Sequence, residues 1–128
     1  MRNRIDMANV GLWILQGLLA ALFLFAGVMK LVLPIEAMAG PVSLPGWFLR
    51  FIGVAEVTGA IGLILPWLTR IQPRLTPVAA SGLVIIMSGA TVITVIGGPA
   101  ATAAVPFMVG LLAATVAYAR WQTLSTQS

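Results

Sequence analysis

The sequence has 128 residues, of which 60% are hydrophobic and only 8% are charged. Because soluble domains carry about a quarter charged residues, this composition excludes a water-soluble protein and leaves lipid as the solvent. The net charge is +4, but the basic residues form no stripe or cluster, which excludes a nucleic-acid partner. The length allows a single domain, which we assign to residues 1–128.

Two residue types that carry much of protein chemistry are missing from the chain. It has no cysteine and no histidine, so it forms no disulfide and lacks the commonest metal ligand and proton shuttle. The sequence also contains no phosphate-binding loop, nucleophile motif or metal-ligand spacing. We therefore expect no metal site and no cofactor held by this chain alone. Whether the protein is an enzyme stays open at this point.

Four apolar runs divide the chain, each close to the roughly 20 residues that a helix needs to cross the hydrocarbon core of a bilayer. We predict transmembrane helices at about 7–33, 47–68, 75–96 and 101–119. The first run is too long for the apolar region of a signal peptide, and three similar runs follow it. The pattern predicts an all-α membrane protein, an antiparallel bundle of four transmembrane helices.

The basic residues indicate how these helices are oriented. One side of the predicted topology holds five arginines: Arg2, Arg4, Arg70, Arg74 and Arg120. The other side has only Lys30 and Arg50, so the positive-inside bias predicts that both termini are cytoplasmic. Six side chains near the helix ends are predicted to anchor the bundle at the membrane interfaces: Trp13, Trp47, Trp67, Trp121, Arg70 and Arg74.

One carboxylate, Glu56, interrupts the second apolar run. Counting from Trp47, the helical rise places it about 13 Å below the outer interface, close to the midplane, where a charge is costly. Small residues, including Gly53 and Gly59, lie three positions to either side, which indicates that Glu56 faces other helices. The nearest credible counter-charge is Lys30, about 5 Å below the outer end of its helix. An ion pair between the two is one interpretation, and the sequence leaves open whether they pair.

Such a pair has two interpretations. It marks a pocket or proton site, or it is a polar clasp between the first two helices. Lys30 also has the option of extending its ammonium group to water at the interface. Gln16 precedes Lys30 by fourteen residues, close to four helical turns, so we expect it to face the same interior.

Several segments together resemble the DoxX-like family of small four-helix bacterial membrane proteins. They are LQGLLAALFLFAGVMKLVLP, LPGWFLRFIGVAEVTGAIGLILPWL, LTPVAASGLVIIMSGATVIT and the terminal AYARW. The resemblance covers nearly the whole chain and implies a multi-pass protein of the bacterial inner membrane. Many relatives have a histidine late in the third helix, where this chain has Thr94. Relatives include a subunit of a thiosulfate:quinone oxidoreductase and proteins linked to oxidative-stress complexes.

The resemblance implies an accessory subunit of a quinone-linked or oxidative-stress redox system, with quinone as the ligand and a membrane or soluble redox protein as the partner. Two alternatives remain. The first is a small proton-coupled transporter of the multidrug-resistance type, because the chain has the right length and a membrane glutamate. The second is a structural assembly partner of another membrane protein. A homodimer is also expected to be possible for so small a bundle.

Overall fold

The computed structural model describes residues 2–38 and 44–127, with side chains described for 7–37 and 44–124. Four long helices account for most of these residues: α1 Arg2–Val32, α2 Gly46–Thr69, α3 Leu75–Gly97 and α4 Ala104–Gln127. Short 3-10 turns, Ile35–Met38 and Ala100–Ala103, precede α2 and α4. All four long helices are apolar and long enough to cross a membrane. The prediction of an all-α, four-helix membrane bundle is confirmed.

The helix ends differ from the predicted ones at the two termini of the chain. α1 begins at Arg2 instead of Met7, and α4 ends at Gln127 instead of Ala119. The predicted fourth span, 101–119, ends just before Arg120. Arg120 instead lies inside the helix and points into the bundle, where it is 1% exposed. The polar extensions lengthen the bundle at the end that carries both termini.

The helices pack in the order of the chain. α1 packs mainly on α2, α2 on α3 and α3 on α4, while α1 and α4 meet over a smaller area. Because consecutive helices run in opposite directions, the start of α1 and the end of α4 share one end of the bundle, which we call the terminal end. The connections from α1 to α2 and from α3 to α4 lie at the other, distal end.

A single apolar core joins all four helices. Its members are Leu19, Phe23, Ala60, Leu63, Ala80, Leu83, Ala113 and Val116. The outward faces are equally apolar: Ile14, Leu18, Ile85 and Val92, among others, are exposed. Helices that are hydrophobic all round are typical of a bundle whose surroundings are lipid. Polar side chains inside this core are therefore the candidates for a functional site.

α1 and α2 approach most closely where a glycine of one helix faces a glycine of the other. A β-carbon added at Gly27 would lie 2.7 Å from the Gly53 carbonyl oxygen, and one added at Gly53 would lie 2.9 Å from the Gly27 carbonyl oxygen. Both distances are too short for real side chains, so these positions require glycine. Small residues of this kind let membrane helices approach backbone to backbone.

Pro66 lies inside α2 and leaves a gap in its hydrogen bonding. Proline has no N–H, so the carbonyl of Gly62, four residues earlier, loses its helical donor. Thr76 of α3 donates its hydroxyl to that carbonyl oxygen at 2.9 Å. The next carbonyl, that of Leu63, accepts a hydrogen bond from the Gln16 side chain of α1 at 2.6 Å. Neighbouring helices thus supply the donors that a bilayer does not.

Candidate functional site

The distal half of the bundle contains an ion pair between α1 and α2. Lys30 Nζ lies 2.8 Å from Glu56 Oε1. The Glu56 side chain is 2% exposed, whereas that of Lys30 is 31% exposed. Glu56 lies near the middle of α2 and Lys30 near the end of α1, so the lysine reaches along the helix interface to the carboxylate. The lysine–glutamate pair therefore consists of a buried anion and a partly exposed cation.

Backbone features of both helices make room for Lys30 and hold it in place. A β-carbon at Gly53 would lie 2.9 Å from the Lys30 Cβ, so the glycine one turn before Glu56 provides the space for the lysine stem. The Lys30 carbonyl has no helical donor four residues on, because that residue is Pro34. Arg50 Nη1 donates to this carbonyl oxygen at 2.8 Å. Arg50 thus secures the end of α1 instead of joining Glu56.

The contact between Lys30 and Glu56 is an ion pair without a hydrogen bond. The 2.8 Å contact does not have the angles of a hydrogen bond, so Oε1 is buried without a hydrogen-bond partner. A buried ion pair stabilises a protein well only when further hydrogen bonds complete it. The pair can therefore accept one more hydrogen-bond donor at Oε1. It can also hold a proton or turn the ammonium toward a ligand.

A second polar cluster lies at the terminal end, and we call it the Arg120 network. Arg120 Nε donates to Gln16 Oε1 at 2.5 Å, and Arg120 Nη1 donates to Asn9 Oδ1 at 2.9 Å. Gln16 in turn donates through Nε2 to the Leu63 carbonyl oxygen. Gln16 and Arg120 are almost completely buried. The network joins α1, α2 and α4 through neutral amides and one cation.

Two tryptophans and a second arginine complete this cluster. The Arg120 guanidinium carbon lies 4.5 Å from the centre of the Trp67 ring and 5.7 Å from that of Trp13. The Arg70 guanidinium carbon lies 4.8 Å from the same Trp67 ring. Aromatic faces attract cations in this geometry. We had expected Trp67 at the interface, but it is 3% exposed and packs inside the bundle.

Most of the remaining predicted anchors lie on the surface. Trp47 and Trp121 are exposed, as are Arg70 and Arg74, whereas Trp13 is half-buried. Trp47 marks the distal start of α2 and packs edge to face on Phe48. The exposed tryptophans therefore lie at opposite ends of the bundle, as side chains at two membrane interfaces would.

Gln16 faces the same side of α1 as Lys30 but does not join its site. Asn9, Gln16, Phe23 and Lys30 follow one another at intervals of seven residues, and all four make inward contacts. Fourteen residues of helix separate Gln16 from Lys30 by about 21 Å along the axis. One helix face therefore carries two separate polar sites.

Arg120 is the residue that sequence reasoning missed as part of a site. We had counted it only as a charge that sets orientation. The signal was its spacing in α4, because Ala113, Val116 and Arg120 lie three and four residues apart and form one buried stripe. An arginine in register with an inward-facing stripe is expected to point inward.

The fold and the two sites define a class: a small multi-pass membrane protein with four helices and two polar sites in an apolar interior. Residues 14–116 match the sequence model of the DoxX-like family, and the chain belongs to that family. No curated protein and no solved structure matches the chain. At the position of the expected histidine, the Thr94 hydroxyl donates to the Ala90 carbonyl oxygen of its own helix at 2.7 Å.

Proposed function

We propose that this protein is an accessory subunit of a quinone-linked redox system in the bacterial inner membrane, and that the lysine–glutamate pair receives the quinone headgroup. The observation that carries the proposal is the pair itself. It combines a carboxylate deep in the apolar bundle with an ammonium group that remains 31% exposed. Intramembrane ionisable residues of this kind commonly serve ligand or proton pathways.

The residues of the pair fit the headgroup of a quinone. A quinone, when bound, accepts two electrons and two protons as it becomes a quinol. The Lys30 ammonium has N–H groups to donate to a ring carbonyl oxygen. Glu56, held beside it, is able to carry a proton to that oxygen, and its Oε1 has accepting capacity left for a quinol hydroxyl. The surrounding apolar helices exclude water from this transfer.

The electrons have to come from a partner. The chain contains neither cysteine nor histidine, the residues that most often hold iron, copper or iron–sulfur groups in membrane redox proteins. We therefore assign this subunit binding and proton handling, and assign electron delivery to a redox-active membrane or soluble protein docked on it.

The lysine–glutamate pair weighs against the transporter alternative. A proton-coupled exchanger needs a carboxylate that binds a cationic substrate in place of a proton. Here the carboxylate already has Lys30 at 2.8 Å, so a cation would have to displace a tethered ammonium group. The assembly-partner alternative needs no ligand at the pair, and the experiment below separates it from the proposal.

The test measures binding of a quinone to the purified protein in detergent. A short-chain ubiquinone or menaquinone analogue is added, and binding is detected by the quenching of tryptophan fluorescence. The double variant Lys30→Met with Glu56→Gln removes both charges without leaving one of them unpaired, so folding should be retained. Arg74→Gln, an exposed arginine at the terminal end, is the matched control. We expect saturable binding to wild type and to the control, and binding about tenfold or more weaker in the double variant.

Two results would contradict the proposal. The first is wild-type protein that binds neither quinone, which would favour the assembly-partner alternative. The second is equal affinity in wild type and in the double variant, which would move any quinone site away from the pair. Thermal unfolding of all three proteins shows whether a loss of binding reflects a loss of fold.

A further inference from the structure

The Arg120 network contains a buried cation without a described counter-ion. Arg120 is 1% exposed, and its hydrogen-bond acceptors are the neutral amides of Gln16 and Asn9. Its Nη2 atom is buried and has no hydrogen-bond partner. Among the side chains that the structure describes, no carboxylate contacts Arg120, because Glu56 pairs with Lys30. A buried charge with a free donor is costly unless something completes it.

A second cation meets the first on one aromatic ring. Arg70 and Arg120 both place a guanidinium carbon within 5 Å of the Trp67 ring centre, at 4.8 and 4.5 Å. The two guanidinium carbons are therefore no more than about 9 Å apart, a range over which like charges in a bundle repel each other. Neutral amides do not offset that repulsion. Arg70 is exposed and follows the last residue of α2, at the level where the apolar span ends. It is therefore free to turn from the ring toward an incoming anion.

The backbone conformation at Arg70 is one that favours glycine. Its φ is 61°, in the left-handed region where glycine is favoured and other residues are disfavoured by about 1 kcal/mol or more. Glycine would end α2 with less strain, yet the chain has a cationic side chain here. Gln72, two residues later, has a similar φ of 52° and no charge. The two positions therefore form a matched pair for an experiment.

We infer that the terminal end of the bundle binds a phosphate group between Arg70 and Arg120. Guanidinium N–H groups make strong, charge-assisted hydrogen bonds to phosphate oxygens. Arg120 supplies the free Nη2 and Arg70 closes over the anion from the surface. The site lies at the end of the apolar spans, the level of lipid headgroups, where basic pockets between helices hold anionic lipids. The phosphate comes either from such a headgroup or from a soluble phosphate compound.

The experiment uses full-length protein that has been purified in detergent and stripped of phospholipid. Thermal unfolding is followed with added phosphatidylglycerol, with phosphatidylcholine and with inorganic phosphate. Arg70→Gly removes the cation and suits the left-handed backbone, so the fold should be at least as stable. Gln72→Gly relieves the backbone in the same way and leaves the cations in place.

We expect saturable stabilisation of wild type and of Gln72→Gly by a phosphate-bearing ligand, with affinity about tenfold weaker in Arg70→Gly. Stabilisation by phosphatidylglycerol alone assigns the site to a lipid headgroup. Stabilisation by inorganic phosphate as well assigns it to a soluble phosphate compound. The inference is overturned if neither phosphatidylglycerol nor inorganic phosphate stabilises wild type, if phosphatidylcholine stabilises it as strongly as phosphatidylglycerol does, or if Arg70→Gly has the same affinity as wild type.

A carboxylate of the chain itself, Asp6, is an alternative counter-ion for Arg120, and a separate variant tests it. Asp6 precedes Asn9 by three residues in α1, and its side chain lies outside the part of the chain that the structure describes. If Asp6 were the counter-ion of Arg120, Asp6→Asn would destabilise the protein in the absence of ligand and would strengthen phosphate binding. That result would overturn the inference for the native chain. We expect Asp6→Asn to leave phosphate affinity within about twofold of wild type.

Discussion

The two polar sites of this bundle accommodate buried charge in opposite ways. The lysine–glutamate pair brings together two charges of opposite sign and is neutral as a unit. The Arg120 network surrounds one charge with neutral amides and aromatic rings, and a second arginine adds to the excess. Both sites use the same face of α1, about 21 Å apart.

The two sites therefore differ in how the loss of one charged side chain affects stability. In the pair, each charge depends on the other, and removal of one leaves an uncompensated ion in the apolar interior. In the network, removal of the cation leaves only neutral acceptors. The pair is complete without an external ion, whereas the network gains from one. Variants at the two sites and at the helix contacts that support them test this contrast.

Lys30→Met should have the largest effect. It leaves the buried Glu56 without a cation, so we expect the free energy of unfolding in mixed micelles to fall by about 3 kcal/mol. Glu56→Gln should cost less, about 1 kcal/mol, because the partly exposed Lys30 can turn to water. Equal losses for the two single variants would show that burial does not distinguish the partners.

Arg120→Met is the counterpart at the terminal end. It strands the Gln16 and Asn9 amide oxygens and removes the contacts with Trp67 and Trp13. Because no opposite charge is stranded, we expect a loss of about 2 kcal/mol, smaller than for Lys30→Met. The same unfolding assay checks the order. A larger loss for Arg120→Met would mean that the network, and not the pair, is the main polar tie of the bundle.

Gly27→Ala tests the close approach that allows the pair to form. The added methyl group meets the Gly53 carbonyl, so α1 and α2 must separate, at a cost of about 1–3 kcal/mol. Gly17→Ala on the same helix meets nothing within 4 Å and should stabilise the protein by up to about 1 kcal/mol. Unfolding free energies of opposite sign are the expected readout. A stabilised Gly27→Ala variant would contradict the described packing.

The smallest predicted effect concerns the gap that Pro66 leaves. Thr76→Val removes the donor to the Gly62 carbonyl and should cost about 0.6–1.7 kcal/mol. In a Pro66→Ala background the alanine N–H supplies that carbonyl, so the same Thr76→Val change should cost almost nothing. A double-mutant cycle measures the coupling. Equal costs in the two backgrounds would show that the hydroxyl and the proline act independently.

The sequence was enough to predict the membrane class and the four helices, and it indicated Lys30 as the nearest counter-charge of Glu56 without deciding whether the two pair. Length and hydropathy determine a span almost alone, and two opposite charges inside an apolar bundle have few other partners. The Arg120 network was not predicted, because its partners are 104 and 111 residues away in the chain. Its neutral amides carry no charge that would point to the arginine.

Two prolines near helix ends share a hydrogen-bonding pattern that is visible in the sequence. Pro34 and Pro66 each lie four residues after a helical carbonyl, that of Lys30 and that of Gly62. Each of those carbonyls accepts a side-chain hydrogen bond from the next helix, from Arg50 and from Thr76. A proline near the end of a membrane helix thus predicts an acceptor four residues earlier, although only the fold shows which donor reaches it.

The Arg120 network also limits the order in which the protein is assembled. The lysine–glutamate pair joins the first two helices, so it can form as soon as α2 has entered the membrane. Gln16 is synthesised 104 residues before Arg120, and the contact between them has to wait for the end of α4. During that interval the inward face of α1 carries polar amides without their final partner. The fourth helix therefore completes a polar site to which the first helix has already contributed Gln16.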